Sequence, residues 1–253
     1  MIKLLVLAAA LFLSGPQRQS LLQEAEGITN YDVHYIRGAI RAKMATAALT
    51  LEKTTWEGEP VLYAGFSIRA VNLFRLFMKD TYQVNDYLNL EDLHPVFYSY
   101  PFTKNGKQVV QEILYDKSSG IIEVVYKTEG VQSEAVRTIP LDGVTMEPPS
   151  LLFLLRTLDP SSLEKTLKAG AILDGFRVAA EISFQGEDND YWPGETAFHY
   201  QISLLERGLL ENGSGNEIHV WISAAPTREM LGLEVPLGKG AITVRMRNNS
   251  KNL

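Results

Sequence analysis

The sequence predicts a mainly β protein: a large curved antiparallel sheet or open β-barrel, with one buried apolar helix and a short second helix across its concave face. Three observations carry this. From Tyr31 onward, apolar residues recur at every second position over most of the chain, which is the period of a strand with one buried face. Turn signals such as Asn105-Gly106 and Ser118-Ser119-Gly120 separate the runs, and Asn-Gly is the strongest short hairpin signal. One stretch, Glu147 to Pro160, breaks the period, because Leu151, Leu152, Phe153, Leu154, Leu155 and Leu158 go round the whole circumference of a helix. Such a helix has no wet face, so the strands on either side must enclose it. Pro148 and Pro149 suit its first turn and Pro160 bars its continuation.

In chain order, Met1 to Ser20 has the layout of a secretory signal peptide: a lysine at position 3, an apolar run from Leu4 to Leu13, then Ser14-Gly15. That run is too short to span a bilayer as a helix, and the polar Gln17-Arg18-Gln19 that follows favours processing over a buried N-terminal helix. Cleavage is expected near Ser20, leaving a single β-rich domain over 21–247 and a disordered tail over 248–253. Strands are expected around Tyr31–Tyr35, Ala45–Leu51 and Val61–Val71, and Asn72 to Met78 reads either as one or two helical turns or as continued strand. Further strands fall near Thr81–Tyr87, Val96–Thr103, Lys107–Tyr115, Ile121–Thr128 and Glu134–Ile139. Ser161 with Glu164 makes a capping box for the second helix, which Gly170 ends. Beyond it, strands are expected over Phe176–Phe184, Ala197–Glu206, Glu217–Ala224 and Arg228–Arg245, the last folded at Gly238-Lys239-Gly240.

Composition narrows the function. The chain has 253 residues, 45% hydrophobic, with a net charge of −6 and no long block of Lys or Arg, which argues against a nucleic-acid partner or an anionic membrane surface. It has no cysteine, hence no disulfide framework and no lipid-accepting cysteine, so a free protein of the periplasm or cell exterior is expected.

No nucleophile motif, phosphate-binding glycine loop or cofactor fingerprint is present, so no enzyme activity and no cofactor are expected. Ser150 reads as a group that ties down free backbone N–H groups at the helix start. Asp188, Asp190 and Glu195 in the acidic stretch Gly186 to Glu195 lack an EF-hand order and read as a solvated hairpin loop. His34, His94, His199 and His219 show no local metal spacing, although His199 and His219 meet if their strands are neighbours. Arg156 is the one charge in the apolar helix; it needs a partner such as Glu147 or a sheet carboxylate, or else the anionic head of a ligand. Tyr98, Tyr100 and Phe102 share one strand face, which either packs in the core or lines an apolar cavity, and Trp221 joins them as a candidate ligand contact. The expected sites are therefore ligand-binding ones, at Arg156, Tyr98, Tyr100, Phe102 and Trp221, with no metal.

Glu147-Pro148-Pro149-Ser150, followed by Phe153 and Arg156, resembles the acidic-Pro-x-Ser-x-x-aromatic-x-x-Arg segment of a family of exported bacterial proteins, domain-of-unknown-function family 3108. Val220-Trp221-Ile222-Ser223 with Arg228, and the hairpin through Pro236-Leu237-Gly238, resembles its C-terminal signature; Tyr115-Asp116 with Gly120 matches a third stretch. The chain departs from the pattern at Lys43, where the family tends to have glycine, and at Ala224 or Ala225, where it tends to have aspartate. The resemblance implies an exported, strand-rich protein similar in outline to periplasmic lipoprotein carriers. The function expected from all this is an exported, non-enzymatic binding protein holding an apolar or amphipathic, lipid-like ligand in a β-sheet cavity. The alternative is an interaction subunit of cell-envelope machinery with an envelope-protein partner and no small-molecule ligand; an envelope hydrolase has the least support.

Overall fold

Period-two alternation builds one sheet of fifteen strands. The computed structural model of the chain describes residues 26–76, 82–131, 135–160, 163, 166–205 and 217–247. The expected signal peptide, Ser161 and Glu164 of the capping box, and the tail over 248–253 lie outside them.

The first half of the chain forms β1 (Gly27–Arg37), β2 (Ile40–Trp56), β3 (Glu59–Ala70), β4 (Tyr82–Asn89) and β5 (Pro95–Lys104). It continues through β6 (Lys107–Asp116), β7 (Ile121–Thr128), β8 (Ala135–Pro140) and the short β9 (Val144–Met146) to the helix α1 (Pro148–Thr157). After α1 come β10 (Leu167–Leu173), β11 (Phe176–Trp192) and β12 (Glu195–Leu204), then β13 (Glu217–Ser223), β14 (Met230–Leu237) and β15 (Gly240–Met246). The spatial order is β8-β7-β6-β5-β4-β3-β2-β1-β15-β14-β13-β12-β11-β10-β9. Two meanders are thus joined where β1 pairs β15 antiparallel, and only β9 and β10 run parallel.

Local chemistry sets the hairpins. Asn105 and Gly106 take φ of 53° and 75° between β5 and β6, the left-handed pair a two-residue hairpin turn needs, and Asp174-Gly175 does the same between β10 and β11 at 49° and 73°. Asn72–Leu76 forms a 3-10 turn, which settles the ambiguous stretch there.

Two expectations are corrected, and one strand is new. The segment expected to end a second helix at Gly170 is strand β10, whose Ala169 to Ile172 are all buried between β9 and β11, so tertiary pairing overrides the local helix signal. The acidic stretch is not a loop: β11 runs on to Trp192, and the chain reverses only at Pro193-Gly194. The new one is β9, which no alternation marks and which pairs its 3 residues with β10.

The sheet curls around α1. The helix packs on β4, β10 and β13, yet β4 and β10 stand nine places apart in the sheet. At about 4.8 Å per strand a flat sheet would separate them by roughly 43 Å, and a helix of 10 residues is only about 15 Å long. Curvature alone brings them together. The concave face has two parts: one is filled by Leu151, Phe153, Leu154, Leu155 and Leu158 of α1 against Leu49, Leu62, Ile182, Tyr200 and Ile222. The other, on β5 to β8, gathers Tyr98, Ile113, Tyr115, Ile122, Val124 and Ile139 with Ile172 of β10. The hydrogen-bonded ladder does not close between β8 and β9; there Arg137 of β8 donates to Gly175 O at 2.8 Å, bridging the gap with a side chain only.

Leu155 is 0% exposed and belongs to the core cluster around α1. Leu155→Ala is expected to lower stability by about 2–5 kcal/mol in urea unfolding; a loss under about 1 kcal/mol would mean that α1 is not enclosed by the sheet.

Candidate functional site

Buried polar groups hold α1 at both ends. At its N-terminus, Ser150 Oγ lies 2.5 Å from Asp86 Oδ2 and 2.5 Å from Glu147 Oε1, and the Tyr115 hydroxyl donates to Glu147 Oε2. Asp86 and Glu147 are both 0% exposed. A serine hydroxyl has one proton to donate, so it donates to one carboxyl and accepts from the other, which must itself be protonated. Asp86 is that one, because burial and the adjacent Glu147 push its pKa well above the ordinary carboxyl range. Ser150 therefore does not cap the backbone as expected. The helix has no side-chain N-cap bond, and prolines without N–H groups occupy its first positions.

At the C-terminus two arginines exchange bonds with each other's backbone. Arg228 donates from Nε to Arg156 O at 3.2 Å and from Nη2 to Leu158 O at 2.5 Å. Arg156 donates from Nε to Arg228 O at 2.8 Å and from Nη2 to Thr227 O at 2.9 Å. Arg228 thus satisfies the free carbonyls of the last helical turn and places a cation at the negative end of the helix dipole. The partners of Arg156 are carbonyls, neither Glu147 nor a sheet carboxylate.

The aromatic residues fall in two places. Tyr98 pairs across the ladder with Asp86 and Ile113 and is buried in the second part of the core. Tyr100 and Phe102, on the same face, stack at 5.4 Å between ring centres and are half-buried. Register puts Tyr100 beside Gln111 and Gln111 beside Tyr126, and Gln111 donates to the Tyr126 hydroxyl at 2.9 Å. Against this row lies the β10–β11 turn: Asp174 raises the pKa of both Tyr100 and Tyr126 after burial has done so, and Phe176 follows, 58% exposed. The Arg137 guanidinium covers the Phe176 ring at 3.7 Å. Phe176, Arg137 and Tyr126 therefore gather where the β10–β11 turn meets β7 and β8, and Tyr100 and Phe102 continue the aromatic face two strands further in, on β5.

Trp221 is elsewhere. It projects from the face turned away from α1, stacked on Tyr191 at 4.1 Å and on His199 at 4.7 Å, and it donates to Asp188 Oδ2 at 3.0 Å. Strands β12 and β13 are neighbours, and His199 Nε2 lies 3.0 Å from His219 Nδ1. Among the described residues no group of three His, Cys, Asp or Glu could hold a metal ion. The other oxygen of Asp188, Oδ1, accepts from the N–H groups of Asp190 and Tyr191 on its own strand. Structure thus brings Tyr98, Tyr100 and Phe102 together and sets Arg156 and Trp221 apart from them. Alternation in β7 and the Asp-Gly turn before Phe176 were the signals for Tyr126 and Phe176; nothing local marks Asp86.

A single sheet that curls round a helix without closing its ladder defines a β-barrel-like protein. The chain belongs to the family described as protein of unknown function (DUF3108), which matches residues 30–247. Two of the three resembling stretches meet at the Arg156–Arg228 exchange. In shape it is similar to a β-barrel-like protein of domain of unknown function DUF1849 from Brucella abortus, with a TM-score of 0.54 and 10% identity, covering 87% of this chain and 95% of that one. No curated protein matches the chain.

The raised pKa of Asp86 fixes a sign. Its proton stabilises the fold, fully so below the ordinary carboxyl pKa, and that stability is lost as pH rises through the raised folded value. Asp86→Asn, whose amide donates to Ser150 without ionising, is expected to match the parent near pH 4 and to exceed it at pH 8 by on the order of 1 kcal/mol in urea unfolding. Equal pH dependence of the two chains would place the proton elsewhere.

Proposed function

We propose that the chain is an exported, non-enzymatic binding protein that holds an apolar or amphipathic, lipid-like ligand at the open seam of its sheet. The observation that supports this is the aromatic face that runs from Tyr100 and Phe102 on β5 through Tyr126 on β7 to Phe176 at the β10–β11 turn, beside the open edge at β8. Half-exposed aromatic rings at a break in a sheet offer an apolar chain a surface that is already formed. Arg137 stands among them for an anionic or zwitterionic head. The rest of the concave face is occupied by α1, and Arg156 is 3% exposed with its N–H groups on carbonyls, so the seam replaces both the central cavity and Arg156 as the ligand contact. No described helix is long and apolar enough to cross a membrane. The carboxyl pair Asp86 and Glu147 is enclosed by Ser150 and Tyr115, which keeps that pair from serving as an accessible acid.

One observation favours a second reading, an interaction subunit of the cell envelope. Strand β8 is an edge of the sheet, and Val136 on it is 60% exposed; an unpaired edge of this kind can accept a strand from a partner.

Protein purified gently from its native envelope is expected to release a stoichiometric apolar compound into organic extract, read by mass spectrometry. Tyr100→Ala with Phe102→Ala is expected to weaken binding of a fluorescent fatty acid about tenfold, the loss of two aromatic contacts. A blank extract, repeated after exposure to membrane extract, overturns the ligand reading and leaves the β8 edge as the functional surface.

A further inference from the structure

The face of the sheet turned away from α1 holds a shallow groove of about 210 Å³, lined by Ile36, Arg41, Tyr191, Glu234, Thr243 and Arg245. It is far from the seam in strand order, at the β2-β1-β15-β14 junction where the two meanders meet. Register builds it: Ile36 pairs with Arg41, Glu234 with Thr243, and Thr243 with His34. Its wall is Tyr191, held between the Trp221 ring at 4.1 Å and the Arg245 guanidinium at 4.7 Å. Tyr191 lies across Gly232, where a Cβ would collide with the tyrosine hydroxyl and stand 2.6 Å from Val244 O. A glycine is required there for the wall to exist.

The floor is unsatisfied. Thr243 is 8% exposed, and its Oγ1 has no hydrogen-bond partner among the described residues; neither has the buried Nδ1 of His34 opposite it. A buried hydroxyl without a partner costs folding stability, so a fold that keeps one invites an explanation in binding. The charges point to a sign. Arg41 and Arg245 against Glu234 leave one positive charge in excess on the lining, while Lys43 and Arg247 beside it are engaged by Asp32 at 2.8 Å and 2.6 Å. Burial and the nearby Arg41 hold the His34 imidazole below its ordinary pKa, so His34 is neutral at neutral pH.

We propose that this groove binds a small organic monoanion, a carboxylate on a short apolar body. The guanidinium groups of Arg41 and Arg245 face the carboxylate, a planar match that guanidinium makes well, and the Thr243 hydroxyl, buried beneath the groove, reaches it by a rotation that exchanges it with its own methyl. Ile36 and the edge of Tyr191 take the apolar body. The groove is independent of the seam, and either can fail without the other.

The test uses the full chain and two probes, hexanoate and inorganic phosphate, followed by thermal unfolding and by titration at low salt. Hexanoate is expected to raise Tm saturably. Arg41→Gln, at an exposed side chain that cannot affect folding much, is expected to weaken hexanoate about tenfold. Thr243→Val is expected to weaken it similarly while leaving the unliganded Tm equal or higher, since valine removes the unpaired hydroxyl and keeps its shape. Three results overturn the proposal: no saturable response to hexanoate, parent-like binding by both variants, or a response to phosphate with hexanoate inert.

Discussion

Everything in this molecule depends on enclosing a helix that has no face for water. Apolar residues surround α1, and a fifteen-strand sheet bends to bring β4, β10 and β13 onto it. Burial of this kind is non-directional; it would accept the helix slid or rotated by a turn. The polar groups at its two ends remove that freedom. Ser150 ties the first turn to Asp86 and Glu147, and Arg228 ties the last turn to the loop before β14. These groups are buried and would be costly if their bonds were broken, so sliding or turning the helix is opposed at both ends.

The same arrangement explains why the sheet stays open. A barrel needs every strand to find a neighbour, and β8 and β9, consecutive in the chain, sit at opposite ends of the strand order because the chain crosses from one meander to the other between them. The short β9 leads into the helix and pairs parallel with β10, which follows it, so β9 ends one side of the sheet while β8 ends the other. What remains is a gap crossed by Arg137 and flanked by aromatic rings. The sheet therefore has two usable surfaces: a concave one whose helix-free part is aromatic, and a convex one where β1 and β15 join and cationic side chains collect.

Much of the architecture was legible because strands and turns advertise themselves locally. Alternation marked most of the strands, Asn105-Gly106 marked its hairpin, and the proline-fenced apolar run marked α1. Failures came where local signal and tertiary pairing disagree. Ser161 and Glu164 look like a helix start, yet the residues that follow from Leu167 are pulled into β10 by β9 and β11. The acidic run from Gly186 looks like a loop, yet pairing with β12 extends β11 through much of it. Of the site residues, Tyr98, Tyr100 and Phe102 were visible as one face of one strand. Asp86 was not, since it becomes distinctive only when the curl of the sheet delivers it to Ser150, 64 positions away.

By itself the sequence determined the period of its strands, the enclosure of one helix and the family to which the chain belongs, because each of these rests on residues near one another along the chain. Only the tertiary structure decided which groups meet. It turned Arg156 inward onto carbonyls, put Trp221 on the opposite face from Tyr98, and set Thr243 against His34 without a partner for either. The physical reason is register: a strand's side chains alternate faces, so which residues share a surface depends on how strands far apart in the chain are aligned, and no local pattern encodes that alignment.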